Sequence, residues 1–220
     1  MKVEVWSDIA CPWCYIGKRR FDVALSRFAH RDAVEVRWRS FELDPSAPAV
    51  PDEPYLDRLA AKYRMTLPEA DAAIDRMIEA GAQHGVILRF DKARPGNTFD
   101  AHRLLHLAAE RGVQDGLKER LLRAAFTTGA PIADPDVLVD IASDAGMDPG
   151  QARTALESGA FAVEVRADER RAADLGITTV PFFVMGGLGV AGAQVPDVLL
   201  EVLQDAWAAE AGATPPAQSS

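Results

Sequence analysis

Cys11-Pro12-Trp13-Cys14 stands between two segments of opposite periodicity, and that junction constrains the chain more than any other feature. Ahead of it Val3 and Val5 alternate with Lys2, Glu4 and Trp6, the period of two expected of a strand with one face more buried than the other. Behind it, from Pro12 to about Ala29, Ile16, Phe21, Ala24, Leu25 and Phe28 recur at helical spacing. Val34, Val36 and Trp38 then alternate with Glu35, Arg37 and Arg39. The opening reads β-α-β, and a right-handed crossover places its two strands parallel in one sheet.

At such a junction Cys11 sits by the helix N-terminus, where unpaired amide N–H groups and the helix dipole favour a thiolate. Cys11 is therefore expected to attack and Cys14, one turn deeper, to resolve. A spacing of three on a helix brings both sulfurs to one face. Pro12 suits the first helical position, having no N–H to leave unpaired. Trp13 adds no cation. Half a zinc site is the first alternative, but no second cysteine pair and no nearby histidine accompany it. Two inert buried thiols are the second, and the strand–helix junction argues against them. No metal and no resident cofactor are expected.

With 220 residues, 48% of them hydrophobic, the chain can build a core without disulfide staples. A net charge of −9 speaks against nucleic-acid and anionic-membrane partners. Lys18, Arg19 and Arg20 read as the solvated face of the first helix. The start is strand-like without an apolar signal segment, and no run of about 20 apolar residues occurs, so a cytoplasmic location is expected. There, two cysteines three apart point to redox or metal chemistry.

After the proline-rich stretch Asp44–Pro54 comes a run of helices. Thr66 and Glu69 form a capping-box pattern for a helix ending near Gly85, and Thr98 is expected to cap one ending at Gly112. The next runs to about Gly129, and Asp134-Pro135 and Asp148-Pro149 open two more, stopped by Gly146 and Gly159. Then the α/β pattern returns. A helix from Phe161 to Gly176 precedes a hairpin of Pro181–Met185 and Leu188–Ala191, with Gly186-Gly187 as its turn. A last helix runs from Pro196 through Trp207. The division expected is an α/β domain from 1–51 and 159–212, a helical insertion at 52–158, and a disordered tail at 213–220.

Three motifs together resemble the DsbA family: Trp6-Ser7-Asp8-Ile9-Ala10-Cys11-Pro12-Trp13-Cys14-Tyr15-Ile16-Gly17, Gly96-Asn97-Thr98-Phe99-Asp100-Ala101-His102-Arg103, and Thr179-Val180-Pro181-Phe182-Phe183. The likeness is greatest to its cytoplasmic FrnE-like branch, linked with polyketide biosynthesis. It implies a thioredoxin fold with an inserted all-helical domain, and a dithiol–disulfide oxidoreductase or isomerase acting on protein or small-molecule thiols and disulfides. It further implies that Val180–Pro181, whose isomer the sequence leaves open, is cis and packs on the Cys11–Cys14 site. Pro12, Trp13, Val180 and Pro181 would then contact substrate, the Val180 backbone by strand addition. Some FrnE-like proteins carry a second cysteine pair, absent here. Kappa-class glutathione transferases and 2-hydroxychromene-2-carboxylate isomerases share the architecture but usually have serine where Cys11 stands. A glutathione-dependent isomerase or transferase on a small aromatic substrate is thus the second reading, with glutathione as co-substrate. A non-catalytic binding module is the third. Oligomeric state is left open.

Other residues take plainer readings. His102 and His106 have the spacing of a metal pair but no third ligand, and read as core or surface histidines. Asn97 and Thr98 read as a helix cap, with a place in the cleft facing Cys11 as the alternative. Phe182 and Phe183 must face opposite sides of their strand. Gly186-Gly187-Leu188-Gly189 lacks the lysine and the strand–loop–helix setting of a phosphate loop.

Overall fold

The computed structural model describes residues 1–213. Strands β1 (Lys2–Ser7), β2 (Glu35–Ser40), β3 (Phe182–Met185) and β4 (Leu188–Ala191) form one sheet in the order β2-β1-β3-β4. β1 and β2 run parallel, with Val5 opposite Trp38, and the crossover between them is helix α1 (Pro12–Arg27). β3 returns antiparallel to β1, placing Phe183 beside Val5, and pairs with β4 across Gly186 and Gly187, both at positive φ. Glycine meets that demand without steric cost.

α1 and the C-terminal helix α9 (Pro196–Ala213) cover one face of the sheet, through Val3, Val5, Phe21, Phe183, Leu199 and Leu203. The other face meets α8 (Ala162–Asp174) and the residues that follow it, through Trp6, Ala172 and Ile177. Both faces of β1 are therefore buried, Glu4 and Trp6 included, where the alternation led us to expect one. A central strand with helices on both sides has no solvent face. Glu4 is accommodated because Arg39 and Arg171 both bind its carboxylate.

Between β2 and α8 lie α2 (Tyr55–Tyr63), α3 (Leu67–Ala82), α4 (Phe99–Glu110), α5 (Gln114–Arg123), α6 (Pro135–Asp144) and α7 (Pro149–Glu157). The Thr66–Glu69 capping box forms in full, and Asp134 and Asp148 each accept from first-turn amides. α5 continues as a π-helical turn over Ala124–Thr128 that Gly129 closes at positive φ. At α4 the cap differs from expectation. Thr98 makes no side-chain cap, and the Asn97 carboxamide oxygen instead accepts from the Phe99 amide at 2.9 Å. Asn97 also donates to the Pro45 and Pro48 carbonyls, which pins the proline-rich stretch beside the site.

α9 runs on to Ala213, past the Trp207 stop that the sequence suggested; residues 214–220 of the expected tail lie outside the described residues. No described helix is long and apolar enough to cross a membrane. Lys18 is also placed differently: it is buried, with Asp22, Asp115 and Glu119 around its ammonium, while Arg19 binds Glu119 and Arg20 binds the Ala193 carbonyl. The run expected to face solvent instead joins α1 to α5 and to the loop after β4.

Candidate active site

β1 ends at Ser7, and Asp8 turns the chain into α1. The Asp8 carboxylate accepts from the Ala10 and Leu43 amides at 3.3 and 2.8 Å and faces the His102 ring at 3.4 Å. Burial raises an isolated Asp8, but His102 and the amide donors outweigh it and hold the carboxyl below its ordinary value. His102 is itself fully buried, and burial keeps its imidazole below the usual range. His106, one turn on, faces Ser40 and Asp168 instead, so the two histidines do not converge. Both are core residues.

Cys11 is the N-cap of α1 in extended conformation, with Pro12 in the first turn. Its thiol faces the Val180 carbonyl at 3.6 Å. The Val180–Pro181 bond is cis, as the resemblance implied. Pro181 lies against Gly17 of α1, where any Cβ would stand 2.7 Å from the Pro181 ring. The structure thus gathers Cys11, Cys14, Pro12, Val180 and Pro181 at the start of α1, with Trp13 beside them and 39% exposed. Phe183 faces the core, and Phe182 packs with Trp6 rather than at the thiols.

Each thiol shifts the ionisation of the other. The hydrogen bond to Cys14 pushes the Cys11 thiol well above its ordinary value, helped by burial and by the Cys14 charge. Burial works against a Cys14 thiolate as well, but the Cys11 S–H, the Lys118 ammonium and Ser7 outweigh it and bring Cys14 below its ordinary value. The Val180 carbonyl and the Asp8 carboxylate both disfavour a Cys11 anion.

Cys11 opens on a cavity of about 680 Å³, the size of a small-molecule site. Asp8, Pro12, Trp13 and Thr98 line it from the α/β side and α4, and α2 and α3 close it with Tyr55, Arg58, Tyr63 and Met77. Asn97 is not among its lining residues. Tyr55 packs tilted against Phe90, ring centroids 4.7 Å apart, and edge-on to Phe126, and its hydroxyl has no hydrogen-bond partner among the described residues. Tyr55, Ser7 and Lys118 escaped the sequence reading. Lys118 had a signal, since it falls between Gln114 and Leu121 or Leu122 on the buried stripe of α5.

A family model described as the DSBA-like thioredoxin domain matches residues 2–204. The uncharacterized protein YwbO of Bacillus subtilis (strain 168) is 30% identical over 205 residues, covering 92% of this chain and 96% of its own. The crystal structure of a probable DsbA oxidoreductase from Streptomyces coelicolor is 46% identical with a TM-score of 0.90, covering 100% of this chain and 94% of that one. A 2-hydroxychromene-2-carboxylate isomerase shares the fold at 14% identity and a TM-score of 0.70, covering 98% of this chain and all of its own.

Proposed function

The chain belongs to the DSBA-like thioredoxin domain family, whose members are thiol–disulfide oxidoreductases, and on that premise we propose that Cys11 and Cys14 are its redox pair. The observation that carries this reading is the placement of two free thiols in one helical turn, Cys11 as the N-cap of α1 and Cys14 with its amide on the Cys11 carbonyl at 3.0 Å. As a substrate disulfide arrives in the cavity, Cys14 takes the Cys11 proton and Cys11 attacks one substrate sulfur. The substrate S–S bond breaks, and its other sulfur leaves as a thiolate that draws a proton from water. Cys14 then attacks the Cys11 sulfur, its proton passing to the departing substrate thiolate as the mixed disulfide breaks, and the pair closes with two electrons passed to substrate.

The cavity favours a substrate side chain or small thiol seated against Tyr55, while the Val180 N–H, unpaired among the described residues, suits an extended peptide. Pro12 and Trp13 would border both. Glutathione is the co-substrate this reading allows. The cytoplasm is its proposed compartment, supported by a chain whose two cysteines are the pair itself and leave none for a structural disulfide. The second reading, glutathione-dependent isomerisation or transfer on a small aromatic substrate, draws on the same cavity. Catalysed reduction of insulin disulfides, lost in Cys11→Ser, is the expected result. A Cys11→Ser protein that keeps full activity on a glutathione-dependent small molecule would sink the redox reading and favour the second.

Two further outcomes follow from the contacts. In Gly17→Ala the new methyl group presses on Pro181, so disulfide turnover should fall about tenfold, since displacements of under 1 Å are felt at this level. Alanine's better helix propensity, worth roughly 1 kcal/mol, should keep the fold intact in a melting experiment. Unchanged turnover would show that Pro181 can move freely. Tyr55→Phe removes a hydroxyl that no protein group uses. Its KM should rise roughly fivefold, the worth of about 1 kcal/mol, with kcat kept. An unchanged KM for every disulfide tried would place the substrate elsewhere.

A further inference from the structure

Two helices of the insertion bring three cations to the wall of the cavity that Cys11 opens on, Arg58 and Lys62 from α2 and Arg76 from α3. None of the three forms an ion pair among the described residues. Elsewhere Arg39, Arg103, Arg166 and Arg171 each bind a carboxylate. Arg58 is half-buried, and its Nη1 donates to the Pro95 carbonyl at 3.2 Å, which holds the guanidinium at the wall. Lys62 stands one turn on, its ammonium 5.9 Å over the Tyr63 ring. Like charges four apart on a helix repel, and no acid lies three or four positions from either residue to relieve them. The acids of the cavity do not cancel this wall. Asp8 is taken up by the Ala10 and Leu43 amides, and Asp44 by the Ser46 amide and hydroxyl at 3.0 and 2.7 Å. That leaves Glu53, exposed, against three cations. The chain as a whole carries −9 and repels anions on average, so this wall is a local exception.

We propose that Arg58, Lys62 and Arg76 select the substrate, pairing with carboxylates on a small disulfide while its sulfurs lie at Cys11. The proposal rests on the redox reading above and names a substrate class for it, small disulfides that carry carboxylates. With Nη1 on Pro95, the Nε–Nη2 edge of Arg58 remains for a carboxylate, which such an edge binds through two N–H groups at once. Lys62 adds a point charge on the same face of α2, and Arg76 a third cation from α3. Tyr55, one turn before Arg58, lines the same cavity and offers the apolar part of the ligand a ring. α2 and α3 close a space of about 680 Å³, which suits a small molecule held whole better than a folded protein surface.

The test is the rate at which the reduced protein is oxidised by dialkyl disulfides that differ in charge, read by intact mass after acid quench. Dithiodipropionate and its longer homologue dithiodibutyrate are anionic, hydroxyethyl disulfide is neutral and cystamine is cationic. In the wild type a carboxylate disulfide should react faster than the neutral one, and cystamine slowest. The anionic-to-neutral ratio should fall about tenfold in the double variant Arg58→Gln, Lys62→Gln, the worth of a hydrogen bond to a charged group. Glutamine keeps the helix propensity of α2. Arg76→Gln should lower the ratio less, and Arg58→Glu with Lys62→Glu should turn the preference towards cystamine. A ratio equal in the wild type and both double variants, for both carboxylates, would overturn the proposal and leave the redox reading standing, since the neutral disulfide is still reduced. A wild type that reacts with none of the disulfides would remove both. If the double variants do not fold, the wild type answers by salt: screening should lower its ratio, and a ratio indifferent to salt would overturn the proposal equally.

Discussion

A Cys14→Ser variant is expected to hold its substrate as a persistent mixed disulfide on Cys11, with a lifetime on the order of 10³-fold beyond that of the wild-type intermediate. Cys14 is held in the first turn of α1 with its amide on the Cys11 carbonyl at 3.0 Å, so its attack on the Cys11 sulfur is intramolecular and already oriented. An external thiol lacks that advantage, and Cys14 is wholly buried, so nothing from solvent replaces it in place. The intermediate is read by non-reducing electrophoresis and intact mass after mixing with insulin or a model disulfide. Cys11→Ser should yield no adduct under the same conditions. An adduct on Cys14 in Cys11→Ser, formed as fast as on Cys11, would reverse the assigned roles.

The second large effect lies away from the thiols. Asp168 on α8 accepts from the Ser40 amide at 2.9 Å, pairs with Arg39 at 2.9 Å and faces His106 at 3.2 Å. One carboxylate thus joins β2, α4 and α8. Burial raises an isolated Asp168, but His106, the Ser40 amide and Arg39 outweigh it and hold the carboxyl below its ordinary value. Asp168→Ala leaves the Ser40 N–H and the Arg39 guanidinium without that partner in a buried setting, a loss of about 3–5 kcal/mol. For a chain of this size the apparent Tm should fall by roughly 10 °C. The pH dependence has a definite sign. Because the folded pKa is depressed, the unfolded chain binds the proton more tightly. The stabilisation is complete above the unfolded carboxylate value of about 3.9 and is lost as pH falls through the lower folded value. The Asp168→Ala protein should therefore lose less stability on acidification than the wild type. Equal acid sensitivity would mean that other carboxylates govern the transition.

The elements that surround the thiols were legible where local chemistry decides them. The Thr66–Glu69 box, the two Asp-Pro starts and the Gly186-Gly187 turn each satisfy backbone groups with residues close in sequence. What escaped was set by packing from afar. Glu4 alternates as a solvent-facing residue would, yet α8 covers it and brings Arg171. Lys18 reads as surface until α5 supplies Asp115 and Glu119. At the site, Cys11 and Cys14 were readable from their junction, but the groups that shift their ionisation were not. The Val180 carbonyl, Asp8 and Lys118 are brought in from the segment before β3, the turn after β1 and α5.

The central claim, that Cys11 and Cys14 cycle between dithiol and disulfide, is tested most directly by equilibrating the protein in glutathione buffers of graded potential and reading its intact mass. The account predicts a single cooperative transition in which the protein loses two hydrogens, with a Cys11–Cys14 cross-linked peptide recovered after digestion. A protein that stays fully reduced across the range, or that gains glutathione on Cys11 without ever closing the pair, would contradict it.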